Sequence, residues 1–170
     1  TLKYQTVKNA SSYVSSSMHT DLFLKHYGAN KDHIIRYPFT SLNHHQILKK
    51  PLDKEAKHAL RNKYQLPQNL FIILSVGRLS KEKNHQYVID NLNHVNRPYL
   101  FILVGDGSDH TILNMLDSDH HRYLNQLDSK TLFEYYQLAD LFVLASTSEP
   151  WGLVVNEAMS QGCVVATSQY

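Results

Sequence analysis

The chain has 170 residues, 42% hydrophobic and 19% charged, with a formal net charge of +2. That length gives one sizeable domain with its own core and a small appendage. The charge is too small to argue for nucleic acid or a membrane surface, no apolar run approaches the roughly 20 residues of a membrane span, and a single Cys163 excludes an internal disulfide.

The first 50 residues are polar and His-rich. Asn9-Ala10-Ser11 has the form of a glycosylation acceptor, a triplet common by chance, and the chain opens at Thr1 rather than Met, as a fragment would. "SSMHTDLFLKHYG" (16–28) reads as a short amphipathic helix with Leu22, Leu24 and Tyr27 on one face and Gly28 as its stop. "HIIRYPF" (33–39) reads as a short strand ended by Pro38. "KEAKHALRNKYQLP" (54–67) is a helix, with Ala56, Leu60 and Tyr64 recurring every four residues.

From residue 70 the texture changes. "LFIILSVG" (70–77) and "YLFILVGDG" (99–107) are continuous apolar runs, as expected of strands buried on both faces. Helices are predicted over 84–95 (Val88, Leu92 and Val95 on one face), 109–118 and 129–139, the last capped by Ser129. A weaker strand covers 121–127 and a further one 140–146. "PWGLVVNEAMSQG" (150–162) is a helix with Pro150 in its first turn and Gly162 at its end, and 163–168 is the last strand. Alternating β and α with apolar strands predicts a Rossmann-like parallel sheet with right-handed crossovers and helices on both faces.

In such a sheet ligands sit beyond the carboxyl ends of the strands. The loops there are Gly77-Arg78-Leu79, Gly105-Asp106-Gly107 and Ser146 to Gly152. Arg78 leaves the strand at the ligand end, and Lys83 stands near the start of the next helix. Two cations beside free helix N–H groups suit a phosphorylated ligand, while solvated cations pairing with Glu82 are the plainer reading. Neither a Walker loop nor a dinucleotide fingerprint is present. Glu149 lies in the last of these loops, and the N–H groups of Trp151, Gly152 and Leu153 are expected to lack intrahelical partners. Glu157 follows on the order of 10 Å further along the helix axis. A retaining glycosidase pair stands about 5–5.5 Å apart. The two carboxylates are therefore placed to grip two ends of an elongated ligand, a sugar, a diphosphate and a ribose in a row. The alternative makes Glu149 a helix cap and Glu157 a surface residue.

"VGRLSKEKN", "LVGDG", "YYQLADLFVLAST" and "SEPWGLVVNEAMSQGCVVATS" together resemble the donor-binding half of GT-B glycosyltransferases of the GT4 type, the group 1 glycosyl transferases. Glu149 and Glu157 match that family's E-x7-E motif. The resemblance implies a retaining transferase that moves a sugar from a nucleotide-diphosphate sugar to a saccharide or lipid-linked acceptor. By that resemblance Arg78 and Lys83 hold the diphosphate, Glu149 the sugar hydroxyls and Glu157 the ribose hydroxyls. Gly77 lies with the two cations, and the backbone of Gly152, Leu153 and Val154 faces sugar and phosphate. The loop from Asn125 to Leu127 lies by the base, with Asn125 standing where relatives often have Gly. Residues 1–50 then read as the end of an acceptor domain with its linker, and 51–170 as a donor domain incomplete at its C-terminus. The resemblance further implies polysaccharide or glycolipid synthesis, a cytoplasmic setting at the inner membrane face and peripheral membrane association through the missing domain. It also allows that the fragment alone is inactive.

Other signals compete. A non-catalytic nucleotide-binding α/β module is the rival reading. Asp117-Ser118-Asp119 has the form of a metal-binding DxD, but at the amino end of a strand. The 11 histidines show no HExxH or Cys partner, so no metal or other cofactor is expected. Cys163 reads as a small buried hydrophobe, and Tyr135 and Tyr136 as helix residues packing on the sheet.

Overall fold

The computed structural model describes residues 2–37, 42–92, 94–149 and 151–169. It divides into two compact units, Thr1–Ser41 and Leu42–Tyr170.

The first unit holds α1 (Leu2–Lys8), β1 (Tyr13–Ser15), α2 (Met18–His26) and β2 (Ile34–Arg36), with β1 and β2 pairing in parallel. Ser17 caps α2 through the Thr20 N–H at 3.2 Å, and Gly28 takes a left-handed φ of +93° just past its end. Leu24 and Tyr27 are partly covered, but Leu22 is exposed. Positions two apart stand about 200° around a helix, so Leu22 and Leu24 do not share a face. Pro38, expected to end β2, lies outside the described residues.

The second unit is a five-stranded parallel sheet in the order β5-β4-β3-β6-β7, built from β3 (Phe71–Val76), β4 (Tyr99–Val104), β5 (His121–Leu124), β6 (Leu141–Leu144) and β7 (Val165–Thr167). Side chains alternate between faces along a strand. Ile72, Leu74 and Val76 of β3 and Leu100, Ile102 and Val104 of β4 thus enter one core, under α5 (Ser129–Leu138) and α6 (Leu153–Ser160). Ile73, Phe101 and Leu103 enter the other, under α4 (His85–Leu92). Both faces are apolar, which is why these strands read as unbroken hydrophobic runs.

Four local readings change. Residues His110–Met115 form a 3-10 helix rather than an α-helix. With three residues per turn, Ile112 and Met115 stack on one side and Leu113 and Leu116 beside them, all packed on the second core. Asp128, not Ser129, caps α5: its carboxylate accepts the Thr131 N–H at 3.0 Å and the Thr131 hydroxyl at 2.6 Å. The last helix starts at Leu153, after Gly152 in a left-handed conformation, and the expected role of Pro150 lies outside the described residues. Cys163 sits in the turn before β7 rather than within it, and burial pushes its thiol up to about 11.

The spacing of Ala56, Leu60 and Tyr64 on α3 (Lys54–Lys63) missed the residue that anchors it. Arg61 is 4% exposed. Its guanidinium donates to the Leu138 carbonyl at the end of α5 (2.9 and 3.2 Å) and to Asp140 at 2.7 Å. Asp140 also accepts the Ile72 N–H at 2.8 Å and the Lys57 ammonium at 2.9 Å. Burial acts upward on this carboxyl, but the Ile72 N–H, Lys57 and Arg61 outweigh it and hold it below its ordinary 3.8. Asp140→Asn leaves a buried guanidinium without its counter-charge and should cost about 3 kcal/mol at neutral pH. The folded pKa lies below the unfolded one. The carboxylate's contribution is therefore full above about pH 5 and drains away as pH falls through the folded value. Urea titrations of both proteins should show the gap closing on the acid side; a constant gap would refute the ionic account.

Candidate donor site at the carboxyl edge of the sheet

The chain runs from β3 outward through β4 to β5, then crosses back to β6 and β7 on the other side of β3. The loops after β3 and β6 therefore diverge, opening the crevice that a doubly wound sheet offers to ligands. These two loops carry Arg78, Lys83 and Glu149.

Backbone contacts lock the loops in place. The Leu79 N–H donates to the Asp106 carbonyl at 3.0 Å and the Asp109 N–H to the Leu79 carbonyl at 2.9 Å. A Cβ at Gly105, whose φ is +145°, would stand 1.9 Å from the Gly77 carbonyl oxygen, and one at Gly107 would stand 2.4 Å from that of Leu79. Glycine is required at 105 and 107 because backbone occupies the side-chain space. At Gly77 a Cβ would meet only the Lys83 stem at 3.5 Å, an ordinary contact. On the far side, the Thr147 N–H donates to the Glu82 carbonyl at 2.8 Å, tying the loop after β6 to the 3-10 turn Lys81–Lys83.

A buried histidine supports the Arg78 turn. His85, the first residue of α4, places Nε2 3.1 Å from the Arg78 carbonyl oxygen and Nδ1 3.3 Å from the Ser75 hydroxyl. Burial holds the imidazole below its ordinary 6.5, so the neutral ring serves both: Nε2–H donates to the carbonyl, and Nδ1 accepts from Ser75. Nothing in the sequence pattern had marked His85.

The expected residues fall into three groups. Gly77, Arg78 and Leu127 line a cleft of about 580 Å³ with Gly105, Gly107 and Gln126. Arg78 is well exposed and stands 3.8 Å from Glu82, the pairing the plainer reading expected. Asn125 is not in that lining. Its side-chain oxygen accepts from the Tyr123 hydroxyl at 3.2 Å, and its neighbour Gln126 lines the cleft instead.

The second group centres on Glu149, whose carboxylate is paired with the Lys83 ammonium and accepts the Ser146 hydroxyl at 3.1 Å. Burial pushes Glu149 up, but Lys83, Ser146 and the Gly152 N–H together hold it below the ordinary carboxylate value. Leu153 and Val154 form the first turn of α6, where helix N–H groups lack intrahelical acceptors, and the Val155 N–H turns back to the Gly152 carbonyl at 2.8 Å.

Glu157 makes the third group, one turn into α6 and half-buried. It accepts the Tyr136 hydroxyl at 3.2 Å, and burial raises its carboxyl above the ordinary value against that bond's pull. The two glutamates share no bonding partner among the described residues. Asp117 lies before the amino end of β5, away from the cleft, bonded to His120 at 3.1 Å and His121 at 2.8 Å. Among the described residues no three His, Cys, Asp or Glu side chains converge as a metal site would require, and no helix is long and apolar enough to cross a membrane.

A family model described as "Glycosyl transferases group 1" matches residues 56–170. The chain is 31% identical over 129 residues to the alpha-monoglucosyldiacylglycerol synthase of Acholeplasma laidlawii, covering 71% of this chain and 32% of that protein. It is 26% identical over 158 residues to the mannosylfructose-phosphate synthase of Agrobacterium fabrum, covering 84% and 34%. Among solved structures it superposes on Anabaena Alr3699/HepE in complex with UDP-glucose at a TM-score of 0.75 and 20% identity, over 98% of this chain and 47% of that one. A glycosyltransferase from Rickettsia africae gives a TM-score of 0.78 at 21% identity, again over 98% and 47%. The chain thus spans about a third of these curated relatives and just under half of these solved chains.

The loop geometry sets a glycine test. Gly105→Ala should cost about 3 kcal/mol through forced backbone displacement. Gly77→Ala should change stability by less than about 1 kcal/mol. Chemical denaturation of both variants measures this; equal costs would refute the close-approach account.

Proposed function

From a chain that belongs to the group 1 glycosyl transferases, with the parallel α/β architecture of GT-B enzymes, we propose a donor-binding segment that takes a nucleotide-diphosphate sugar at the switch point of its sheet. The observation that carries the reading is that the loop after β3, which brings Arg78 to the cleft, is joined to the loop after β6 by the Lys83–Glu149 pair, three residues before the N-cap of α6. The diphosphate lies toward Arg78, Lys83 and the α6 N-terminus, where cations and helix N–H groups favour negative charge. An ammonium has three donors, so Lys83 serves Glu149 and a phosphate oxygen together. Glu149, held ionised, accepts hydroxyls of the sugar. Glu157 accepts those of the ribose, and the base enters the cleft beside Leu127, with Gln126 rather than Asn125 at its wall.

The reaction we propose is transfer with retention at the anomeric carbon. The bond to the diphosphate oxygen breaks, the leaving group departs with the electron pair, and the acceptor oxygen bonds from the same face. The acceptor's proton passes to the departing phosphate. The protein's part is to orient the reactants and neutralise the leaving charge with Arg78 and Lys83, a role that needs no metal. The acceptor in this reading is a saccharide or lipid-linked saccharide at the cytoplasmic face of a membrane, in polysaccharide or glycolipid synthesis.

Calorimetric titration with UDP-glucose, and with GDP- and ADP-glucose alongside, tests the donor site. Arg78→Ala and Lys83→Ala should each weaken the best donor about tenfold, the size of a lost charge-assisted bond. Glu157→Ala should weaken the nucleotide but leave pyrophosphate binding unchanged. Unaltered donor affinity in all three variants would overturn the assignment.

A further inference from the structure

Resting on that reading of Glu157, the geometry points to Tyr136 as the residue that positions its carboxylate for a vicinal diol: one oxygen is anchored by the phenol, leaving the other for the ribose. Tyr136 is completely buried on α5. Its ring meets Phe142 edge-on at 5.6 Å between centroids and Phe133 at 6.5 Å. The hydroxyl therefore sits at the end of a rigid lever, and it donates to Oε2 of Glu157 at 3.2 Å. Oε1 accepts from no described residue.

The arrangement fixes the direction of every bond at this carboxylate. Burial pushes the Tyr136 phenol far above its ordinary value, so it stays protonated and is always a donor. Burial also raises the Glu157 carboxyl, and the Tyr136 bond is what opposes that rise. The phenol thus both aims the group and favours its acceptor-only form. A ligand hydroxyl approaching Oε1 then meets an oriented acceptor, whose rotamer cost is already met by the lever. Tyr136 touches no ligand in this scheme, which makes it a positioning residue.

Tyr136→Phe removes one oxygen and keeps the ring packing, so folding is checked by an unfolding midpoint close to that of the parent chain. The readout is the preference for UDP over 2′,3′-dideoxy-UDP in calorimetric titrations of the full chain, with the GDP and ADP pairs run alongside. In Glu157→Ala the preference should vanish. In Tyr136→Phe affinity for UDP should fall about tenfold, the size of a lost hydrogen bond to a charged group, while affinity for the dideoxy compound stays unchanged. The remaining preference should also be lost at a higher pH than in the parent chain as pH is lowered. If Glu157→Ala abolishes the preference and Tyr136→Phe leaves it intact, or weakens both compounds equally, the positioning role is refuted and the ribose reading stands. If Glu157→Ala leaves the preference intact, both fall together.

Discussion

No side chain fits between Gly105 and the carbonyl of Gly77. This exclusion sets the distance between the turns that leave β3 and β4, and the site is built outward from it. With the turns in contact, Leu79 is buried and exchanges backbone hydrogen bonds with Asp106 and Asp109. Arg78 follows in the cleft lining, its side chain exposed and its carbonyl held by His85. The contact binds no ligand itself; it supplies the rigid edge against which a flexible cation is presented.

Charge is handled differently on the two sides of that edge. Arg78 is exposed, its nearest carboxylate is the rim residue Glu82, and solvent screens the pair. Lys83 and Glu149 are mostly covered and joined to one another, with the Ser146 hydroxyl donating to the same carboxylate. The second arrangement holds both groups in fixed orientation and keeps Glu149 ionised. It joins the loop after β3 to the loop after β6 across the switch point, as the Thr147 bond to Glu82 does through the backbone.

The sheet was legible in the sequence because its physics is periodic and redundant. Each central strand repeats the same demand for apolar residues on both faces, and "LFIILSVG" and "YLFILVGDG" satisfy it. Arg78, Lys83 and Glu149 could be placed from the sequence in the loops at the carboxyl ends of the strands, and Glu157 in the helix that follows; their roles toward a donor belong to the proposal. Positions governed by a single local competition were less so. Asp128 and Ser129 are both good caps, and the carboxylate that also reached the Thr131 hydroxyl took the role. The supporting partners His85, Arg61 and Tyr136 were illegible for another reason. Each sits in a helix, and each acts through hydrogen bonds to residues distant in sequence or folded back by a turn, which periodicity does not register.

The Arg61–Asp140 bond also has a consequence in time. Its two ends are 79 positions apart, and between them lie β3, α4, β4, β5 and α5. During synthesis the guanidinium emerges long before its carboxylate, and a cation that can be buried only with its partner keeps the face of α3 in water until then. Tyr135, whose ring lies 4.7 Å from that of Tyr64, comes from the region just before Asp140. Packing around α3 therefore waits until Asp140 has been made, and is of the slow, non-local kind that parallel sheets impose.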